Sequence, residues 1–218
     1  VGLWIANDRP WPLKGALTWK LIETNGEVVR KGYSAVAIPA GTSSTKALDF
    51  QAQSYVDANG PSNLLFYAEL SVLGEPDSTT MLTFDNPKNV NLMQPDISTA
   101  VSGLKNRYAV TLETEHPALD VWLNLSGADA KFSDNFVPLV PGESTTVYVT
   151  PSVPMSAKEF VSALKVRSLY DTYAPSANPT AITSRPDGNV VLTAEEAEVV
   201  GDNVAHLEFT NPGDIGNW

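Results

Sequence analysis

The 218-residue sequence contains no cysteine and only two histidines, His116 and His206. Without thiols there are no disulfides, no thiolate metal sites and no cysteine nucleophile. Two isolated histidines do not make a zinc site, and they leave few general bases for a serine nucleophile. Cations are scarce as well. Fourteen Lys and Arg against 25 Asp and Glu give a net charge of −11 and a sequence pI near 4.5. The Lys and Arg stand singly, whereas a surface that tracks phosphates needs clustered positive charge, which argues against nucleic acid as a partner. No stretch approaches the about 20 apolar residues that a membrane-spanning helix requires. The opening VGLWIANDRPWPLKG has no initiator Met, basic start or apolar signal core, which predicts a chain that begins in mid-protein or after processing. Asn124-Leu125-Ser126 matches the short glycosylation acceptor pattern.

Helical periodicity is nearly absent too. What recurs is short runs of alternating polarity broken by Gly, Pro, Asn or Asp, the signature of a sandwich of short strands. ALTWKLIET puts Leu17, Trp19 and Leu21 on one face, and Asn25-Gly26 then suits a tight hairpin. EVVRKGYSAVAIPAG is expected to carry the return strand and a second one, and STKALDFQAQ, NLLFYAELSVLG and TTMLTFDN continue the series. Six or seven strands in this stretch suit one immunoglobulin-like sandwich, placed at residues 1–99. Residues 87–106 read as a connector without sustained alternation. A second sandwich is placed at 100–173. Its strands include RYAVTLETE and ALDVWLNLSG, the latter with Leu119, Val121, Leu123 and Leu125 on one face and Trp122 on the other. MSAKEFVSAL is the one helical candidate, with Ser156 and Glu159 spaced as a capping box. Residues 174–189 read as a linker, and 190–218 hold too few strands for a core of their own. The expected fold is all-β: two tandem immunoglobulin-like sandwiches plus a partial C-terminal β segment.

Four groups of residues invite a functional reading. Ser133, Asp134, Asn135 and Glu143 cluster in AKFSDNFVPLVPGESTTVYVT, but no G-x-S-x-G elbow surrounds Ser133. Asp134 and Asn135 are ordinary turn formers; Phe136 is expected to anchor the strand FVPLV, and Pro141-Gly142 to turn it into STTVYVT. Glu113 and Glu115 share a strand face, and Glu195, Glu196 and Glu198 lie close in sequence. A chain with 25 acidic residues produces such pairs as solvated faces, without the cleft a catalytic dyad needs. DNPKNVN, SDN and GDN are rich in oxygen ligands but lack calcium-loop spacing; a single surface calcium is compatible with them, and no cofactor is expected. Exposed tryptophans stack on sugars, so Trp4, Trp11, Trp122 and Trp218 are candidate carbohydrate contacts against the competing reading of core or interdomain packing.

LDVWLNLSGADAKFSDNFVPLVPGESTTVYV, with its aromatic strand followed by S-D-N-F and L-V-P-G-E, resembles the C-terminal immunoglobulin-like domain of family-two glycoside hydrolases. The branch is that of β-mannosidases, endo-β-mannosidases and exo-β-glucosaminidases. LTWKLIETNGEVVRKG is similar to the immunoglobulin-like domain that precedes it there, after the catalytic barrel. The tail LTAEEAEVVGDNVAHLEFTNPGDIGNW resembles the opening of a galactose-binding-like module, which implies that Trp218 marks a truncation and not a working ligand platform.

The resemblance implies a retaining parent enzyme with two catalytic glutamates on a (β/α)₈ barrel, and none of those residues has a counterpart here. The expected role is therefore non-catalytic: an accessory region packed against the catalytic domain of the same polypeptide, in a secreted or periplasmic enzyme. The rival reading is a carbohydrate-binding or adhesive module with polysaccharide as its partner. A free-standing hydrolase is the third.

Overall fold

The computed structural model describes residues 1–173 and, beyond them, Phe209–Asn211 and Asp214–Ile215. The all-β expectation holds. The first sandwich is built from β1 (Gly2–Asn7), β2 (Leu13–Glu23), β3 (Val28–Ile38), β4 (Thr42–Asp49), β5 (Leu64–Val72) and β6 (Ser78–Thr83). Among the described residues, one layer has the order β3-β2-β5-β6, the other holds β1-β4, and every pairing is antiparallel. Leu17, Trp19 and Leu21 point inward as their alternation predicts, and meet Leu64, Phe66 and Ala68 of β5. Burying each large side chain of this set contributes about 1.5–3 kcal/mol. Trp19 also explains Gly32, its cross-strand partner: a Cβ there would lie 2.3 Å from the indole.

Three local expectations need correction. The stretch read as a return strand plus a second is one continuous strand of 11 residues, β3, because its alternation runs unbroken from Gly32 to Ile38. The Asn25-Gly26 hairpin forms, but only Gly26 has positive φ (93°), with Gly26 N–H donating to the Glu23 carbonyl and Glu23 N–H to that of Glu27. This is a three-residue turn closed by a glycine bulge. Finally, Gln53–Asn59 forms a short helix, α1, between two of the expected strands, where no helix was expected. Its cap Ala52 has no side-chain bond, so the sequence carries no start signal; Tyr55 and Val56 hold it against the core.

The second sandwich comprises β7 (Ser98–Leu104), β8 (Arg107–Glu113), β9 (Ala118–Leu125), β10 (Ala130–Phe132), β11 (Val137–Leu139), β12 (Thr145–Pro151) and β13 (Leu164–Arg167). Its layers are β10-β12-β8-β7 and β11-β9-β13. Between β12 and β13 lies α2 (Ala157–Ala163), where Ser156 and Glu159 complete the expected capping box and Phe160 plugs the core. The expected connector is also partly strand: β7 lies inside it, an edge strand exposed along most of its length.

In β9 the even alternation fails at one point. Val137 faces Val121 while Leu139 faces Ala118, so β9 carries an extra residue there, and Asp120 takes φ 50°. Such a bulge re-aims the side chains around it. Val121, Leu123 and Leu125 remain in the sandwich core, whereas Leu119 turns out to join a different cluster. That cluster is the junction: Ile22, Leu65 and Tyr67 from the outer face of β2-β5 pack with Val90, Leu119 and Val140. Lys20 pairs with Glu143 across it, and His116 Nδ1 lies 3.1 Å from the Asn25 carbonyl oxygen. Val1–Tyr173 accordingly forms one compact unit.

Ala174–Trp218 forms a second unit, in which β14 (Phe209–Asn211) pairs antiparallel with β15 (Asp214–Ile215). The expected linker 174–189 and Trp218 lie outside the described residues.

Candidate functional site

The polar cluster at 133–143 is resolved residue by residue. β10 pairs with β12 in one layer and β11 with β9 in the other, so the segment between them crosses from sheet to sheet. A crossing strand leaves backbone groups unpaired on both sides, and these must be satisfied. Ser133 handles the first layer: its N–H donates to the Tyr148 carbonyl at 2.8 Å, and its Oγ accepts from Tyr148 N–H at 2.9 Å. Asn135 handles the second, its Oδ1 accepting from Leu123 N–H at 2.8 Å and its Nδ2 donating to the Leu123 carbonyl at 2.9 Å. Asp134 caps the turn locally through Asn135 N–H. Glu143 is drawn away to Lys20 of the first sandwich. The chemistry of this stretch is backbone satisfaction.

Phe136 corrects another expectation. It does not anchor β11 but precedes it, 64% exposed, at φ 60°, a conformation that L residues with bulky side chains rarely take. Its ring stacks on Trp122 with centroids 6.1 Å apart. Trp122 thus points out of the β9 layer, as its strand parity predicts, and is half covered by Phe136. Trp4 projects from β1, 62% exposed, with the Lys46 ammonium 5.7 Å from its ring centroid. Trp11 lies in the loop after β1, 53% exposed, with the Arg9 guanidinium 5.9 Å away. Trp4 and Trp11 belong to the first sandwich and Trp122 to the second.

Ser133 and Asp134 do line a cleft of about 350 Å³ between the sandwiches, together with Glu69, Asp77, Thr146 and Tyr148. Sequence reasoning missed Glu69 and Asp77 there, since only the fold brings them to the second sandwich. Below it, burial first and the Glu69 carboxylate second push the Tyr67 phenol far above its ordinary value. Tyr67 therefore stays neutral and donates to Glu69 at 3.0 Å. No histidine lines the cleft: His116 sits at the Asn25 turn, and His206 lies outside the described residues. β8 ends at Glu113, so Glu113 and Glu115 do not share a strand face; Glu115 N–H instead bonds the Pro95 carbonyl. Glu195, Glu196 and Glu198 lie outside the described residues. Among the described residues, no group of three His, Asp or Glu side chains is placed to hold a metal ion. No described helix is long and apolar enough to cross a membrane.

Residues 1–89 match the model of a mannosidase Ig/CBM-like domain, and residues 92–172 match the Ig-fold domain model of the mannosidase type. Among solved structures, a β-D-mannosidase from Dictyoglomus thermophilum is similar at a TM-score of 0.66 and 21% identity, over 77% of this chain and 20% of that one. An exo-chitosanase from Amycolatopsis orientalis is similar at 0.56 and 15%, over 77% of this chain and 24% of that one. The chain thus spans about a fifth to a quarter of the length of the solved relatives it matches. No curated protein sequence matches it. Over residues 1–89 and 92–172, this chain consists of the tandem immunoglobulin-like domains of mannosidase-type, family-two glycoside hydrolases.

Proposed function

We propose that the two sandwiches are a non-catalytic accessory region of a larger β-glycosidase, packed against the catalytic domain of the same polypeptide and stabilising it. The observation that carries this reading is the fusion of the sandwiches through the Ile22–Leu65–Tyr67–Leu119 junction. Two domains joined by a buried apolar cluster move as one block, which suits a buttress. In support, the polar groups of the crossover segment are spent on the backbone of both layers. A parent that cleaves β-mannosyl or β-glucosaminyl linkages fits the activities of the similar structures. An interface of ordinary size would bury about 1,600 Å².

The test is to express the complete polypeptide with and without residues 1–173. Each form is assayed on aryl β-mannoside and aryl β-glucosaminide, and its thermal inactivation is followed. Activity that survives deletion but decays faster on heating supports the buttress. Unchanged activity and stability overturn it. Turnover by the sandwiches alone would overturn it as well.

The exposed Trp4 and Trp11 favour a second reading, a polysaccharide-binding module. Calorimetric titration with mannan and chitosan oligomers separates the two, because a buttress gives no heat at millimolar sugar.

A further inference from the structure

Asn124-Leu125-Ser126 is a glycosylation acceptor tripeptide, and the sequence holds no second one: Asn178-Pro179-Thr180 has its hydroxyl in place but is excluded by the proline. A pattern of three residues arises easily by chance, so its place in the fold decides whether it can be used. Asn124 stands one residue before the end of β9, on the outward face, and is exposed. Leu125 points into the core. Ser126 is exposed in the turn that follows, where its N–H donates to the Ala163 carbonyl at 2.8 Å and Gly127 takes φ 74°. The acceptor amide and the hydroxyl two residues on are thus both at the surface. Asn135, by contrast, has its carboxamide committed to the Leu123 backbone.

The surface beside Asn124 is aromatic. Trp122 lies two residues earlier on the same face, so the two Cα atoms are about 7 Å apart, within the reach of a sugar ring joined to the Asn124 side chain. Phe136 covers part of the indole and is itself 64% exposed at φ 60°. The stack on Trp122 barely offsets that backbone strain, which points to a further use for this surface. Across β13, Lys165 pairs with Asn124 and Arg167 with Trp122, and both cations are exposed. An apolar ring surface rimmed by hydrogen-bond donors matches a pyranose, which carries C–H groups on its faces and hydroxyls around its edge.

We propose that Asn124 is an acceptor for N-linked glycosylation, with the first sugar lying on the Trp122 indole and its edge turned toward Lys165 and Arg167. The donor is a lipid-pyrophosphate-linked oligosaccharide. The Asn124 carboxamide nitrogen bonds to the anomeric carbon, and the bond from that carbon to the pyrophosphate oxygen breaks. The lipid pyrophosphate leaves with the electron pair, and the amide nitrogen gives up one proton. Trp122 seats the product and takes no part in the transfer. This face then belongs to solvent, and a catalytic domain has to pack elsewhere on the block; the inference does not depend on that packing.

The chain is expressed behind a secretion signal in a eukaryotic host and recovered from the medium. Intact mass and peptide mapping are measured before and after peptide-N-glycosidase, which releases the glycan and turns the acceptor Asn into Asp. The expected result is a glycan on Asn124 in most molecules, none in Ser126→Ala, and a higher urea midpoint for the glycosylated form than for the released one. In Trp122→Ala the two midpoints should coincide; Trp122→Leu serves the same comparison where the alanine variant is not secreted. In the unaltered chain, ring protons of the first sugar should shift upfield in NMR, as protons above an indole do. A secreted chain with Asn124 unmodified would overturn the proposal. So would unshifted sugar protons, or a stabilising effect of the glycan that survives the loss of Trp122, because the sugar would then not lie on the indole.

Discussion

Asn135 satisfies both backbone groups of Leu123 with one side chain, reaching across 12 positions of sequence from a turn to the centre of β9. The contact ties the sheet-to-sheet crossing to a strand whose residues Val121, Leu123 and Leu125 are core. Asn135→Ala leaves a buried N–H and a buried carbonyl unpaired, which costs about 2–4 kcal/mol in total. Ser133→Ala removes one acceptor at an exposed bond and should cost about 1 kcal/mol or less. Urea denaturation of the two variants checks the order, and equal costs would show that Asn135 is only a turn residue.

Phe136 sets two effects against each other. Its positive φ costs about 1–2 kcal/mol, whereas its stack on Trp122 returns about 0.5–1.5 kcal/mol. Phe136→Gly loses the stack but relieves the backbone, so it should be close to neutral. Phe136→Ala loses the stack and keeps the strain, and should be less stable than the glycine variant by about 1 kcal/mol. Thermal denaturation of both proteins decides, and an alanine variant as stable as the glycine variant refutes the strain.

Much of the fold was legible because half-buried strands write their burial into alternation, as in β2, β8 and β12. The capping box of α2 was legible for a similar reason, since its two partners lie three residues apart. What escaped had no local signal. β7 is an exposed edge strand with no apolar face to display, and α1 has no capping side chain. The bulge at Asp120 cannot be read from ALDVWLNL, whose parity puts Leu119 in its own core; only the neighbouring sandwich gives Leu119 another place to go. Asp134 and Asn135 were legible as turn formers, but the reach to Leu123 depends on two sheets meeting, which no short window contains.

The Gly26 turn carries a second contact between the sandwiches. A Cβ on Gly26 would lie 2.9 Å from Pro141 Cγ, and φ is 93°. Gly26→Ala should therefore destabilise by about 1–3 kcal/mol, from backbone strain and from the collision together. Pro141→Ala in the same background removes the collision and leaves the strain. The double variant is expected to recover part of the loss and never all of it, measured as a double-mutant cycle in urea. Full recovery would show that the backbone tolerates alanine there.

Acid should loosen the connector between the sandwiches. Asp85 accepts from the Asn89 side chain, from Ser62 Oγ and from Asn86 N–H, and these bonds, Asn89 first, hold its carboxyl below the ordinary 3.8. A depressed carboxyl contributes stability that is complete above 3.8 and is lost as pH falls through the lower folded value. Wild type should exceed Asp85→Asn in stability at neutral pH, and the gap should close in strong acid. A gap that persists undiminished would mean that the carboxylate charge is irrelevant to these bonds.

The shared junction makes a claim about cooperativity. Ile22, Leu65 and Tyr67 belong to strands of the first sandwich, yet their side chains are buried in one cluster with Leu119 and Val140 of the second. Unfolding either sandwich alone would expose the partner half of this cluster, and each large apolar side chain so exposed costs about 1.5–3 kcal/mol. The sum is comparable to the whole stability of a small domain, so the sandwiches should melt together. Trp19 lies in the first core and Trp122 on the second sandwich, which gives each a fluorescent reporter once the other tryptophans are replaced by phenylalanine. The two reporters should trace one coincident transition in urea. Leu119→Ala, which removes about 2–5 kcal/mol from the junction, should shift that transition or split it, and the Trp122 signal should then move first. Separate transitions in the unaltered chain would mean that the junction is a contact between independent domains and not a common core.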